Sequence, residues 1–337
     1  VYFLRCNILK YNEDLDKDNI MSISKLVRLA LLFTTQIFLS VFVLHGQVET
    51  EPFWRINQSP GNMNVHVLAA DSNNNIYACV WGDGIYRSTT KGLSWVKIST
   101  GLTNTCVNCL EIDRNGKMYA GTMGGGLFIS TNNGSSWTEK NEGLTNLNVK
   151  AVGIGEGSIV YIGTYGHGVF KTNDGGETWK LASNGIYFRD INCFVVGADT
   201  SVIAGTNGGG IFKSTNGGAS WYQVAAHMKS LTVTDMAMAE SGAIYATTYG
   251  DGIYVSYLNG SFWVPFFHYD NYMPLYSKCI GYYDEENFFV GMYHDGLVRF
   301  DYLYAGIPDS SAWRLTSEWM MGINDIVITK DKQIFIA

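Results

Sequence analysis

Short apolar runs alternate along the chain with polar, turn-forming runs, and the order in which they come is fixed. One unit reads "VNCLEID" (Val107 to Asp113), a polar turn, "MYAGT" (Met118 to Thr122), the glycine loop "MGGG", "LFIS", the hairpin "TNNGSS" and a last short segment opened by Trp137. Runs this brief, rich in β-branched and aromatic residues and bounded by Gly, Asn and Ser, predict four strands, here lettered A to D, and no helix. Strand A recurs as "VHVLAAD", "VKAVGIG", "INCFVVG", "VTDMAMA", "SKCIGYY" and "INDIVIT".

The repeat has a measurable period. Trp95, Trp137, Trp179, Trp221 and Trp263 stand 42 residues apart, as do Gly84, Gly126, Gly168, Gly210 and Gly252. Four short strands in such a period predict an all-β fold, a β-propeller of four-stranded blades. Six full blades are visible, and a seventh breaks off at "IFIA", so the sequence reads as C-terminally truncated. Upstream, "PFWRI" (Pro52 to Ile56) matches a strand D with no A, B or C before it, and Trp54 fills the tryptophan column. An N-terminal strand that completes the last blade predicts seven blades closed in a ring.

The C–D hairpin carries the most specific motif. Thr172, Asp174, Gly176 and Trp179 form a Ser/Thr-x-Asp-x-Gly-x-x-Trp pattern; Ser130, Asn132, Gly134 and Trp137, and Ser214, Asn216, Gly218 and Trp221, carry Asn in place of Asp. In two further copies the acid gives way to Thr90 and Leu258. The pattern resembles the Asp-box (BNR) repeat of sialidases, sortilin-type receptors, xyloglucanase-type glycoside hydrolases and photosystem assembly factor-like propellers. The resemblance implies the fold and leaves the activity open. Physically, Asp or Asn accepts backbone N–H bonds in the turn, Gly supplies the positive φ and Trp packs between sheets, so these residues are expected to be structural.

The chain's start changes the organisation. From Met21, Lys25 and Arg28 precede the apolar "LALLFTTQIFLSVFVL", which ends at "HGQ"; this reads as a secretory signal cleaved near Gly46. Residues 1–20 are then an upstream extension, 21–46 the signal and 47–337 the propeller, secreted, periplasmic or at the cell surface, with no membrane span in the mature part. Charge narrows the partners. With 23 Lys and Arg against 30 Asp and Glu, the net charge is −7 and no basic cluster offsets it, which argues against nucleic acid. Cys79, Cys106, Cys109, Cys193 and Cys279 follow the signal. Cys109, Cys193 and Cys279 share one column of strand A with Val67, Ala151, Asp235 and Asp325, so they are expected as buried free thiols on separate blades. The lone C-x-x-C lacks the second pair that zinc requires; neither metal nor cofactor is expected.

Candidate chemistry falls on one face. B–C loops and D-to-A crossovers share an end of each blade, opposite the Asp-box hairpins. The loops "WGDG", "MGGG", "YGHG", "NGGG", "YGDG" and "YHDG" present Trp81, Tyr165, Tyr249 and Tyr293 beside Asp83, His167, Asp251, His294 and Asp295. Aromatic faces with acidic acceptors suit a glycan or an extended polypeptide, and the aromatic crossover "PFFHYDNYMPLYSK" enters the same face. The reading is a binding or scaffold module. One alternative is a glycoside hydrolase, sialidase- or xyloglucanase-like, for which Asp251 and Asp295 are the candidate carboxyl pair. Another is the sensory ectodomain of a larger membrane receptor. The resemblance to sialidases would bring an arginine triad, and none is visible: Arg55 falls in the column of Arg314, Val96 and Lys180, and Arg87 and Arg299 in that of Lys171 and Lys213.

Overall fold

The computed structural model describes residues 3–6, 54–57, 64–197, 199–266, 276–284, 287–294, 296–301, 313–314 and 322–337. Six antiparallel sheets of four strands follow one another, each with its strands in the order A-B-C-D. Their inner strands are Val65–Ala70, Val107–Ile112, Val149–Ile154, Ile191–Val196, Val233–Met238 and Ser277–Tyr282. A small extra sheet contains Ile326–Ile328 and Ile334–Ile336, followed outward by Phe3–Cys6 and then Trp54–Asn57. Trp54–Asn57 is therefore the outermost strand of the sheet begun by the last repeat, as expected; the strand between is Phe3–Cys6, which the repeat did not foretell. Each inner strand packs against the next, and Ile326–Ile328 packs against both Ser277–Tyr282 and Val65–Ala70, which closes the ring.

Strand B is buried from end to end in the first five blades. A neighbouring blade covers each of its faces, so it is continuously apolar or small rather than alternating. The core is thus a series of layers between blades: Ile98 and Leu102 of the first blade pack with Phe128 and Trp137 of the second.

In the first five blades strand D comprises only two residues and begins after the tryptophan rather than on it. In the second to fourth blades the tryptophan bonds backward to the preceding blade instead. The backbone N–H groups of Trp137, Trp179 and Trp221 donate to Thr100, Glu142 and Asn184 at 2.9, 2.8 and 2.8 Å. Their indole N–H groups donate to the Ile98, Lys140 and Ala182 carbonyls at 2.7, 2.9 and 2.7 Å.

The hairpins before them are closed as the motif demands. Asp174 accepts from the Thr178 and Glu177 N–H groups at 3.0 and 2.9 Å and from the Thr178 hydroxyl at 2.6 Å, while the Thr172 hydroxyl accepts from Gly176 N–H at 3.1 Å. Asn132 and Asn216 accept in the same way from Ser136 and Ser220 N–H, both at 2.9 Å. Thr90 substitutes for the lost acid, its hydroxyl accepting from Ser94 N–H at 2.8 Å.

Candidate functional site

Every full blade carries a β-bulge at the second residue of strand A. A bulge leaves that residue unpaired and re-aims its side chain. The residues so placed are His66, Asn108, Lys150, Asn192, Thr234 and Lys278, with Asn324 at the corresponding position of the last repeat. All are polar and half-buried. Four of them reach the first residue of the next inner strand: Asn108 Nδ2 to Val149 O at 2.9 Å, Asn192 Nδ2 to Val233 O at 2.7 Å, Thr234 Oγ1 to Ser277 O at 3.0 Å and Asn324 Nδ2 to Val65 O at 2.8 Å. Together they form a polar collar around the channel.

The collar lies at the glycine-loop end. Met123, Asn207 and Tyr249 of the loops form isolated bridges to Asn148, Thr232 and Tyr276, just before the next inner strand. B–C loops and crossovers therefore share one face. The Lys150 ammonium lies over the Tyr165 ring at 5.6 Å and that of Lys278 over Tyr293 at 5.4 Å, while the His66 and Trp81 rings meet edge-on at 5.0 Å. Tyr249 packs edge-on against Tyr276 at 5.0 Å and Tyr293 at 5.3 Å. The result is a belt across the last two full blades, the extra sheet and the first blade: Tyr249, Tyr276, Tyr293, Lys278, Asn324, His66 and Trp81. Tyr249 is 49%, Tyr276 44% and Trp81 38% exposed, so these three rings face solvent, while Tyr293 is half-buried among them. Tyr165 is also exposed but sits beside Lys150, away from this cluster.

The acidic residues of the loops behave differently. Asp83 accepts from Lys97 Nζ at 2.5 Å and from the Tyr86 hydroxyl, and these contacts hold its carboxyl below the usual range. Asp251 accepts from Lys229 N–H at 3.0 Å, Ser230 N–H at 3.4 Å and the Tyr254 hydroxyl. Asp83 is thus held by strands C and D of its own blade, and Asp251 by strand C of its own blade and the crossover that leads into it. The sequence carried a sign of this for both: Tyr86 and Tyr254 stand three residues after Asp83 and Asp251, whereas Phe128, Phe170 and Phe212 stand there in blades two to four, whose loops lack the Asp. His167 and His294 are exposed. Asp295 and residues 267–275 of the aromatic crossover lie outside the described residues.

Below the collar, strand A contributes what the strand pattern had not singled out. Asp235 accepts from Ile280 N–H at 2.9 Å and Met236 N–H at 2.8 Å; Asp325 accepts from Leu68 N–H at 2.7 Å and Ile326 N–H at 2.8 Å. Burial raises Asp235 to about 6, and burial with repulsion from Asp235 raises Asp325 to about 7. Enclosure by protein, then repulsion from Asp325 and Asp235, raises Glu111 to about 8. Glu111 is nevertheless open to the channel lumen, so water softens the first cause and leaves the repulsion. Cys79, Cys109, Cys193 and Cys279 are free thiols around the same axis, raised by burial. Among the described residues, no group of three His, Cys, Asp or Glu is placed to hold a metal ion.

No family model matches the sequence, and no curated protein does. Solved structures do. The extracellular domain of BT4673 from B. thetaiotaomicron superposes with a TM-score of 0.64 at 12% identity, over 81% of this chain and 40% of that one. The GH74 xyloglucanase of Xanthomonas campestris gives 0.63 at 16% identity, over 84% and 52%. YCF48 bound to a D1 peptide gives 0.60 at 12% identity, over 83% and 93%. The chain is a β-propeller similar to these. At such identities the likeness establishes the fold, and the chain spans about 40% of the length of the BT4673 domain. Among the described residues, no helix is long and apolar enough to cross a membrane.

Proposed function

We propose that this chain is a secreted binding propeller that holds an extended polypeptide across its glycine-loop face. The observation that carries the reading is the belt of exposed aromatic rings and polar collar groups from Tyr249 to Trp81. Exposed tyrosine and tryptophan with polar groups beside them favour recognition of chains that alternate apolar and hydrogen-bonding groups. Two features favour a polypeptide over a glycan. The tyrosines meet edge-on, at 64° and 86°, which offers ring edges and hydroxyls rather than one flat platform for a sugar. Asp83 and Asp251, the acceptors that sugar hydroxyls would seek, already accept hydrogen bonds within the protein, Asp83 through both oxygens and Asp251 through Oδ2. The same occupancy favours binding over hydrolysis, which needs carboxyl groups facing the substrate. A propeller of similar fold, YCF48, is seen with a peptide bound.

Peptide and glycan arrays probed with the whole chain test this. Peptides are expected to bind, and Tyr249→Ala and Tyr293→Ala each to weaken the best of them by about 1–2 kcal/mol. Capture of glycans without peptides, or binding that survives both substitutions, overturns the reading. Export belongs to the proposal: N-terminal sequencing of the secreted protein should begin near Gln47. Such cleavage would part Phe3–Cys6 from the sheet it joins here.

A further inference from the structure

Two lysines stand at the channel mouth, and their surroundings differ. Lys150 is neutralised by Asp190, 2.8 Å away, and also bonds Asn192 Oδ1 at 2.6 Å. Lys278 has no carboxylate within ion-pair distance among the described residues. Its ammonium donates to Asn324 Oδ1 at 2.5 Å and lies over the Tyr293 ring. Asp325 acts on it from below, but both oxygens of that carboxylate are engaged by backbone N–H groups, and with its pKa raised to about 7 it is only partly ionised near neutral pH. His66, on the far side, is held below its usual pKa by burial and by Lys278, so it is neutral there. A half-buried cation with no carboxylate at ion-pair distance among the described residues thus sits in the middle of an aromatic belt.

From this we infer that the polypeptide held by the belt presents an Asp or Glu side chain to Lys278, with apolar residues on both sides of it. The inference rests on the binding role proposed above. The acid belongs within the segment rather than at its end, because the belt continues past Lys278 in both directions: to Tyr293, Tyr249 and Tyr276 on one side, and to Asn324, His66 and Trp81 on the other. A carboxylate placed there completes a charge-assisted hydrogen bond in a site partly shielded from water, where such a bond counts most.

The test uses the whole chain, immobilised, and two pooled libraries of N-acetylated, C-amidated nonapeptides with randomised flanks, one with Glu fixed at the centre and one with Gln. The Glu library should be captured at least tenfold better by the wild type. That ratio should fall to near one in Lys278→Met, persist in Lys278→Arg and shrink as NaCl is raised from 50 to 500 mM. Tyr249→Ala should lower capture of both libraries and leave their ratio unchanged. Equal capture of the two libraries overturns the inference while leaving peptide binding standing, and capture of neither overturns both. A Gln library that matches the Glu library once its C-terminus is a free acid would show that the terminus is read instead, and also overturns it. Thermal unfolding confirms that each variant is folded before it is scored.

Discussion

Asp174 and Glu111 are carboxylates of neighbouring blades whose surroundings push them in opposite directions. Asp174 sits in an exposed turn and accepts hydrogen bonds from Thr172, Thr178 and Glu177, which hold it well below the usual carboxylate range. A group depressed on folding adds stability above its unfolded pKa, about 4, and loses it as pH falls. Asp174→Ala should therefore lower the melting temperature by a few degrees at neutral pH, and its difference from the wild type should shrink in acid; ligand binding on the opposite face should be unchanged. Repulsion from Asp325 and Asp235 raises Glu111 above the usual carboxylate range, and Asp325 and Asp235 are themselves raised to about 7 and 6. Groups raised on folding give stability that is complete below the unfolded pKa of about 4 and is lost as pH rises through the folded values. The melting temperature should thus decline between mildly acid pH and pH 8. Glu111 accepts no hydrogen bond from a described residue, so Glu111→Gln should flatten that decline and raise the melting temperature at pH 8. A Glu111→Gln curve parallel to the wild type would remove Glu111 from the account.

At the scale of the element, the crossover between blades depends on a glycine that meets the next tryptophan. Gly143 has φ +88°, and a Cβ built there would lie 2.2 Å from the Trp179 carbonyl oxygen; Gly101 and Gly185 meet Trp137 and Trp221 in the same way. Gly124, in a glycine loop, has a similar φ of +86° but open space around its Cβ direction. Gly143→Ala should cost on the order of 2–3 kcal/mol in denaturant unfolding, from backbone clash and strain together. Gly124→Ala should cost about 1 kcal/mol, from strain alone. Equal losses would show that the close approach is not what constrains the crossover. The period and the strand order were legible in the sequence because turn glycines and the tryptophan column recur at fixed spacing. The candidate site was legible only in part. Tyr249 and Tyr293 were singled out because they vary within a loop that otherwise repeats. Asp83 and Asp251 were weighed as free acceptors because the Tyr three residues on was not read as their partner. The collar was missed because strand A reads as an apolar strand, and a single polar residue at its second position signals a bulge only when the seven copies are compared.

For the molecule as a whole, the ring depends on the seam between the extra sheet and the first blade, where residues 240 or more positions apart must meet. Among the described residues, the polar contacts that span it include Asp325 Oδ2 accepting from Leu68 N–H at 2.7 Å, Asn324 Nδ2 donating to Val65 O at 2.8 Å and Asn64 Oδ1 at 3.2 Å, Asp331 N–H donating to Asn74 Oδ1 at 3.2 Å, and Lys91 pairing with Asp331 at 2.8 Å. The last is partly exposed and contributes little. Asp325 matters more, because its removal leaves two N–H groups, of Leu68 and Ile326, without their acceptor in a half-buried setting. Asp325→Ala should therefore destabilise by about 1–3 kcal/mol even though it relieves repulsion on Glu111, the opposite sign to Glu111→Gln. The loss should be local before it is global: amide exchange should quicken first in Val65–Ala70 and in Ile326–Ile336, while the second to fourth blades keep wild-type protection. Uniform loss of protection around the ring would mean that the blades unfold as one unit and that the seam is no weaker than any other junction.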